Sequence, residues 1–232
     1  MRGVFVTGTD TGVGKTVAAC ALVHALRGLG VRVAPMKPVA AGADHAAGRF
    51  ANADSLALIA AAGWEADTLD DVTPVLLREP MAPHIAARRE GVEIERAPIF
   101  EAFSRLARRG DFAVVEGVGG FLVPLGPGFD ASDLARELGL PVVLVVGLRL
   151  GCLNHALLTA RAIHASGLPF AGWIANAIDP AMAAAGENLD TLRERLEAPL
   201  LGQLPYVATP DPHRLASHLD VSTLVPMNVV SR

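Results

Sequence analysis

Apolar residues arrive along this chain in short blocks, and a polar or glycine-rich stretch follows each one. The blocks at residues 4–6, 31–36, 112–115, 141–146, 170–175 and 200–204 are rich in β-branched side chains and predict strands. Between them, apolar positions recur at helical spacing over residues 17–29, 55–62, 94–108, 153–165 and 189–196. Strands that are apolar on both faces and alternate with helices belong to a parallel sheet covered on both sides. The pattern therefore predicts an α/β fold with a mostly parallel sheet. No internal repeat, low-complexity tract or long linker interrupts it, so residues 1–232 read as a single domain. From residue 208 the chain turns to proline and polar side chains, which predicts a surface tail over 208–232.

In such sheets ligands bind beyond the carboxyl ends of the strands. The segments in that position are 8–16, 37–42, 116–120, 147–154, Asn176 and 205–206. They are polar and glycine-rich, which directs the search for chemistry to them.

Composition narrows the class. With 51% hydrophobic residues in 232, the chain can bury a sizeable core. A net charge of −4 with dispersed arginines gives no sign of a nucleic-acid surface. The longest apolar stretch, PVVLVVGL, is too short to span a bilayer. The first residues lack the pattern of a secretory leader. Cys20 and Cys152 are far apart and read as reduced, buried thiols. The expectation is a cytoplasmic protein without membrane or nucleic-acid partners.

The first strand runs into FVTGTDTGVGKTVAAC, residues 5–20. The usual phosphate-loop pattern, G-x-x-x-x-G-K-[ST], would need glycine at position 9, where Thr9 stands. The first glycine, Gly8, comes one residue early. Even so, Gly8, Gly12 and Gly14 let the backbone approach a polyphosphate closely. The helix after Lys15 directs its free N–H groups and positive end at the same place. Lys15 can bridge β- and γ-phosphates, and the Thr16 hydroxyl can ligate Mg²⁺. The alternatives are a bare glycine turn or a dinucleotide fold. The second would need glycine in place of Val17 and an acid where the second strand ends in Lys37.

Lys15 and Lys37 are the only lysines, and both follow predicted strands. Lys37 lies among uncharged neighbours in APMKPVA, where it can neutralise an anionic substrate or a phosphoryl group in transfer. Glu116 closes DFAVVEGVGG after four residues expected to be buried, so a carboxylate there needs a reason. Mg²⁺ takes one or two carboxylates together with phosphate oxygens and water, which suits Glu116 and Asp54. Asp54 also opens a predicted helix, and a capping role competes with the metal role.

With these residues in view, VTGTDTGVGKT, KPVAAG, ADSLAL, EPMAPH, VEGVGGFLVPL and LRLGCLNHALLT together resemble the dethiobiotin synthetase family. The resemblance runs in order from Phe5 to about Tyr206. It implies a P-loop NTPase-type fold and explains the long loop, since the family's loop has five residues between Gly8 and Gly14. A related branch of ATPases, active in cell division and plasmid partition, carries a lysine that would fall at Asp10.

The resemblance also implies the chemistry. CO₂, 7,8-diaminononanoate and MgATP give dethiobiotin, ADP and phosphate through a carbamate and a carbamic-phosphoric anhydride. Lys15 and Lys37 would hold the carbamate and γ-phosphate, and Thr16, Asp54 and Glu116 would surround Mg²⁺. Nucleotide contacts would come from Gly12, Val13, Gly14, Lys15, Thr16, Val17, Asp54, Glu116, Gly117, Val118 and Gly119. Asn176, Pro205, Tyr206 and Val207 would frame the adenine. The family site lies at a two-fold homodimer interface, where Gly151, Cys152 and Asn154 of one chain reach the neighbour's substrate. Lys37 and Ala41 would contact that substrate too, although many relatives carry Ser or Thr at the position of Ala41. His155 has no second histidine at metal spacing and reads as a packing residue. A cobyrinate-diamide-type enzyme would need a further glutaminase domain. A partner-binding ATP switch would need a more basic, periodic tail than HLDVSTLVPMNVVSR.

Overall fold

Six strands form one all-parallel sheet: β1 (Arg2–Gly8), β2 (Val33–Met36), β3 (Phe112–Gly120), β4 (Val142–Leu148), β5 (Phe170–Ala177) and β6 (Leu200–Leu204). The computed structural model describes residues 1–46 and 48–225. Strand order across the sheet is β6-β5-β4-β1-β3-β2. Each of the six corresponds to one of the apolar blocks read from the sequence. The order reverses beside β1, and that is where a crevice opens at the carboxyl edge of a doubly wound sheet.

Helices α1 (Lys15–Gly28), α2 (Ala53–Ala62), α3 (Pro83–Glu90), α4 (Arg96–Leu106), α5 (Ala131–Leu138), α6 (Cys152–Ala165) and α7 (Ala185–Arg195) cover the two faces. Alternation along the strands divides the core accordingly. Val4, Val6, Phe112, Val114, Val143 and Val145 pack with Ala18, Leu22 and Leu26 of α1. Phe5, Ala113, Val115, Leu144 and Trp173 face the other way, with Ile99 of α4, Leu134 of α5, Ile163 of α6 and Leu192 of α7. On β3 the even-numbered positions look towards α1, so the side chain of Glu116 points there as well.

The expected surface tail is partly docked. Pro212–Leu215 forms a short helix against α1, and Leu215, Val221 and Val225 are buried in the core on that side. The apolar outer stripe of α1 supplies the surface they cover. Residues 226–232 of the expected tail lie outside the described residues.

Candidate active site

The site is assembled by strand register. Met36 of β2 pairs with Val115 of β3, so the next residue on each, Lys37 and Glu116, stand side by side at the carboxyl edge. Both are buried, at 4% and 0% exposure. The Lys37 ammonium donates to Glu116 Oε1 at 2.6 Å and to Asp54 Oδ2 at 2.7 Å. Burial would lower the Lys37 pKa, but the charges of Glu116 and Asp54 outweigh it and hold the group above its ordinary value. Two carboxylates within hydrogen-bond distance thus favour the charged form of Lys37.

Asp54 is delivered by the first turn of α2, and it is not the cap. Asn52 caps that helix, its side chain accepting from the backbone N–H groups of Asp54 and Ser55. The Asp54 carboxylate is thus free to face the cavity. Burial pushes its pKa up, yet the Lys37 ammonium more than offsets this and holds it below the usual range.

Lys15 and Thr16 open α1 directly from the glycine loop. The helix has no side-chain cap, since its N-cap is Gly14. Gly14 has φ 80°, and a Cβ there would lie 2.1 Å from Asn176 Nδ2. Only glycine fits, and Asn176 uses the space to donate to the Val13 carbonyl at 2.9 Å. The uncapped amides at the start of α1 are left for an anion. Lys15 is buried and donates to the Asp10 carbonyl at 3.1 Å. Desolvation lowers its pKa, while the nearby Glu116 charge opposes the shift.

Thr16 Oγ1 donates to Glu116 Oε1 at 2.9 Å. The second carboxylate oxygen, Glu116 Oε2, is buried without a hydrogen-bond partner. A fully desolvated carboxylate oxygen is costly unless something positive reaches it. With the Thr16 hydroxyl and the Asp54 carboxylate close by, this hard-oxygen set fits Mg²⁺ bound jointly with phosphate oxygens and water. Among the described residues no cluster of three or more His, Cys, Asp or Glu could hold a metal without such help.

These groups share a cavity of about 650 Å³. Gly12, Gly14, Lys15, Thr16, Lys37, Ala41, Asp54, Glu116, Val118 and Gly119 line it, together with Thr11, Val123 and the 80–83 segment. A larger hollow, about 1030 Å³ between α3, the start of α4 and the 125–129 turn, contains none of the site residues.

A family model described as an AAA domain matches residues 2–214. A protein of Aromatoleum aromaticum named ATP-dependent dethiobiotin synthetase BioD is 57% identical over 218 residues, 94% of this chain and 96% of the relative. The protein of the same name from Ralstonia nicotianae is 53% identical over 223 residues, 95% and 96% of the two chains. This chain belongs to the dethiobiotin synthetase family.

Solved structures with the same fold lie further away. Cell division protein FtsY of Thermotoga maritima superposes with a TM-score of 0.52 at 19% identity, covering 97% of this chain and 69% of that one. A chain of the MinC:MinD complex of Aquifex aeolicus gives 0.50 at 15% identity, covering 93% and 86%. They share the P-loop fold with this synthetase-family chain.

The remaining expected residues stand outside the cavity. Val13 is buried under the loop, Val17 lies in α1, and Gly117 packs against the Phe5 ring. Asn176 pairs with Leu204 across the β5–β6 edge, so Pro205, Tyr206 and Val207 leave the sheet next to it and are exposed. Gly151, Cys152 and Asn154 begin α6 with Gly151 as a left-handed, side-chain-free N-cap. Cys152 is buried and Asn154 exposed, and neither lines this chain's own cavity. Sequence reasoning missed Asn52, the cap residue two positions before Asp54. It also missed Arg149, which donates to Asp10 Oδ2 at 2.5 Å.

Proposed function

We infer that this chain is an ATP-dependent dethiobiotin synthetase acting in biotin biosynthesis, with 7,8-diaminononanoate and CO₂ as its other substrates. The observation that carries the reading is the Lys37 ammonium fixed between Asp54 and Glu116 at the mouth of the phosphate loop, in a chain 57% identical to a named synthetase. A carbamate formed on one amine of the diamine is an anion, and Lys37 is the cation suited to hold it. Its oxygen attacks the γ-phosphorus as the bond to the β-phosphate oxygen breaks and ADP leaves. The second amine then attacks the carbamoyl carbon, phosphate departs, and the nitrogen releases its proton as the ureido ring closes. Lys15 and the uncapped amides of α1 suit the charge that develops on the phosphates.

Thr16, Asp54 and Glu116 would hold Mg²⁺, which neutralises phosphate charge when bound. Asn176 with Pro205, Tyr206 and Val207 would frame the adenine, and Ala41 would border the diamine with a methyl group only. The substrate site is completed at a two-fold dimer interface by Gly151, Cys152 and Asn154 of the neighbour. Support for that comes from Leu150, 92% exposed at the start of α6, and from exposed Leu158 on the same helix. Among the described residues no helix is long and apolar enough to cross a membrane.

The test supplies purified protein with the diamine, bicarbonate and MgATP, and follows dethiobiotin by mass spectrometry and phosphate by colour. Equal amounts of both are expected, with phosphate release dependent on the diamine. Phosphate release indifferent to the diamine, without dethiobiotin, would overturn the reading.

A further inference from the structure

We propose that Arg149 is a positioning residue for the nucleotide: it neutralises Asp10 inside the phosphate loop and ties that loop to the start of α6. β4 runs beside β1, with Val145 paired to Gly8, and the Thr9 N–H donates to the Val145 carbonyl at 3.0 Å. The loop then turns away from the sheet while β4 continues to Leu148. This brings Arg149 over the loop from the side opposite Lys37.

Asp10 is engaged three ways. Its Oδ1 accepts from the Thr11 N–H at 2.7 Å, its Oδ2 from Arg149 at 2.5 Å, and its carbonyl from Lys15 Nζ at 3.1 Å. The carboxylate is close enough to Lys15 to favour that residue's charged form. An acid in a loop shaped for polyphosphate would repel the ligand if left bare. The planar guanidinium cancels this charge and fixes the Asp10 turn. At the other end, the Arg149 carbonyl accepts from the Cys152 N–H at 3.0 Å, within the turn that sets Gly151 at φ 94°. One residue therefore grips the nucleotide loop with its side chain and the first turn of α6 with its backbone. The proposal rests on the ATP-dependent reading above.

The test measures binding of a non-hydrolysable ATP analogue by calorimetry. Arg149→Ala should weaken it about fivefold to tenfold, and Arg149→Lys should recover most of the loss. Asp10→Asn removes the unwanted charge, so the double variant Arg149→Ala with Asp10→Asn should bind more tightly than Arg149→Ala alone. In wild type, saturating analogue should slow amide exchange in a peptide spanning residues 148–157. In Arg149→Ala that slowing should vanish even at saturation. Unchanged affinity in Arg149→Ala overturns the proposal, and so does a double variant weaker than Arg149→Ala. Equal slowing in both proteins, or none in wild type, overturns the link to α6. Should Arg149→Ala fail to fold, Arg149→Gln, which keeps length and loses charge, is read the same way. Failure of the wild-type protein to bind the analogue would sink the ATP reading instead.

Discussion

Lys37 Nζ and Glu116 Oε1 lie 2.6 Å apart, joined across 79 positions of sequence by neighbouring strands that end at the same level. Both side chains are almost wholly buried. A buried charge pair of this kind is sensitive to loss of one partner, which leaves the other uncompensated. The pair borders the cavity, so its electrostatics bear on folding and on the proposed chemistry alike.

Lys37→Ala should therefore lower turnover by roughly 10²–10³-fold, since a cation aimed at developing charge is lost. Nucleotide binding by calorimetry should stay near that of wild type. Stability should fall by on the order of 3 kcal/mol, because Glu116 loses its partner. Adding Glu116→Gln to Lys37→Ala should restore much of that stability and none of the turnover. Denaturant melts and product assays on the three variants check this.

Glu116→Gln and Asp54→Asn keep side-chain shape and remove charge. Each should raise the Mg²⁺ concentration needed for half-maximal rate, Glu116→Gln more, because its buried Oε2 has no other partner. Asp54→Asn should leave α2 intact, since Asn52 provides the cap. A Mg²⁺ titration with circular dichroism on the same samples separates the two effects.

Lys37→Ala and Asn154→Ala should complement each other in mixed dimers. In the proposed two-fold dimer, each mixed species would hold one site with both lesions and one with neither. Random pairing would then return activity to about a quarter of wild type, as the proposed two-fold arrangement requires. Co-expression with two different tags, followed by isolation of the mixed species, measures it directly. An isolated mixed dimer as inactive as its parents would assign the whole site to one chain.

His24 on α1 meets the His213 ring edge-on at 5.0 Å, where the docked tail crosses the helix. Burial lowers the His24 pKa below its ordinary 6.5, with His213 and Arg27 adding to the shift and Asp211 opposing it. The folded state thus favours neutral His24. The unfolded chain binds the proton more readily, so this contribution to stability is present above 6.5 and is lost as pH falls towards the folded-state value. The melting temperature should drop between about pH 7 and pH 5, and drop less in His24→Gln. Melts across that range test the difference between the two proteins.

The inner strands of the sheet were legible because burial on both faces leaves apolar runs with little else to imitate them, while the edge strand β6, LLGQL with Gln203 exposed, shows a weaker one. The three-residue pieces Val39–Ala41 and Val75–Leu77, which pair with each other, carry too few residues for a period to show. Helix α3 is hidden by its composition, HIAARRE after Pro83, which has no strong apolar stripe. Helix α5 does carry a signal in its sequence, the capping box from Asp130 to Asp133. Site residues at strand ends could be found one by one from their position. Their partnerships could not, because the contacts of Glu116 with Lys37 and of Arg149 with Asp10 depend on strand order and register. The docking of Leu215, Val221 and Val225 was likewise invisible, since the apolar residues of that stretch are broken up by proline and polar ones and do not announce the surface that α1 offers them.

The strand order has a consequence for how the chain comes off the ribosome. β1 is made first, yet its two neighbours are β3 and β4, which begin at Phe112 and Val142. At ordinary synthesis rates the wait is roughly 10 s. Until then the nascent chain carries FVTG and its glycine loop with no sheet to lean on, and helix α1 has no floor beneath its leucines. Arg149, which pins Asp10, is synthesised later still. A nascent chain stalled before β4 should be invisible to ATP and visible to chaperones. The phosphate loop is made before five of the six sheet strands, yet it can take its shape only once the strands that flank β1 are in place.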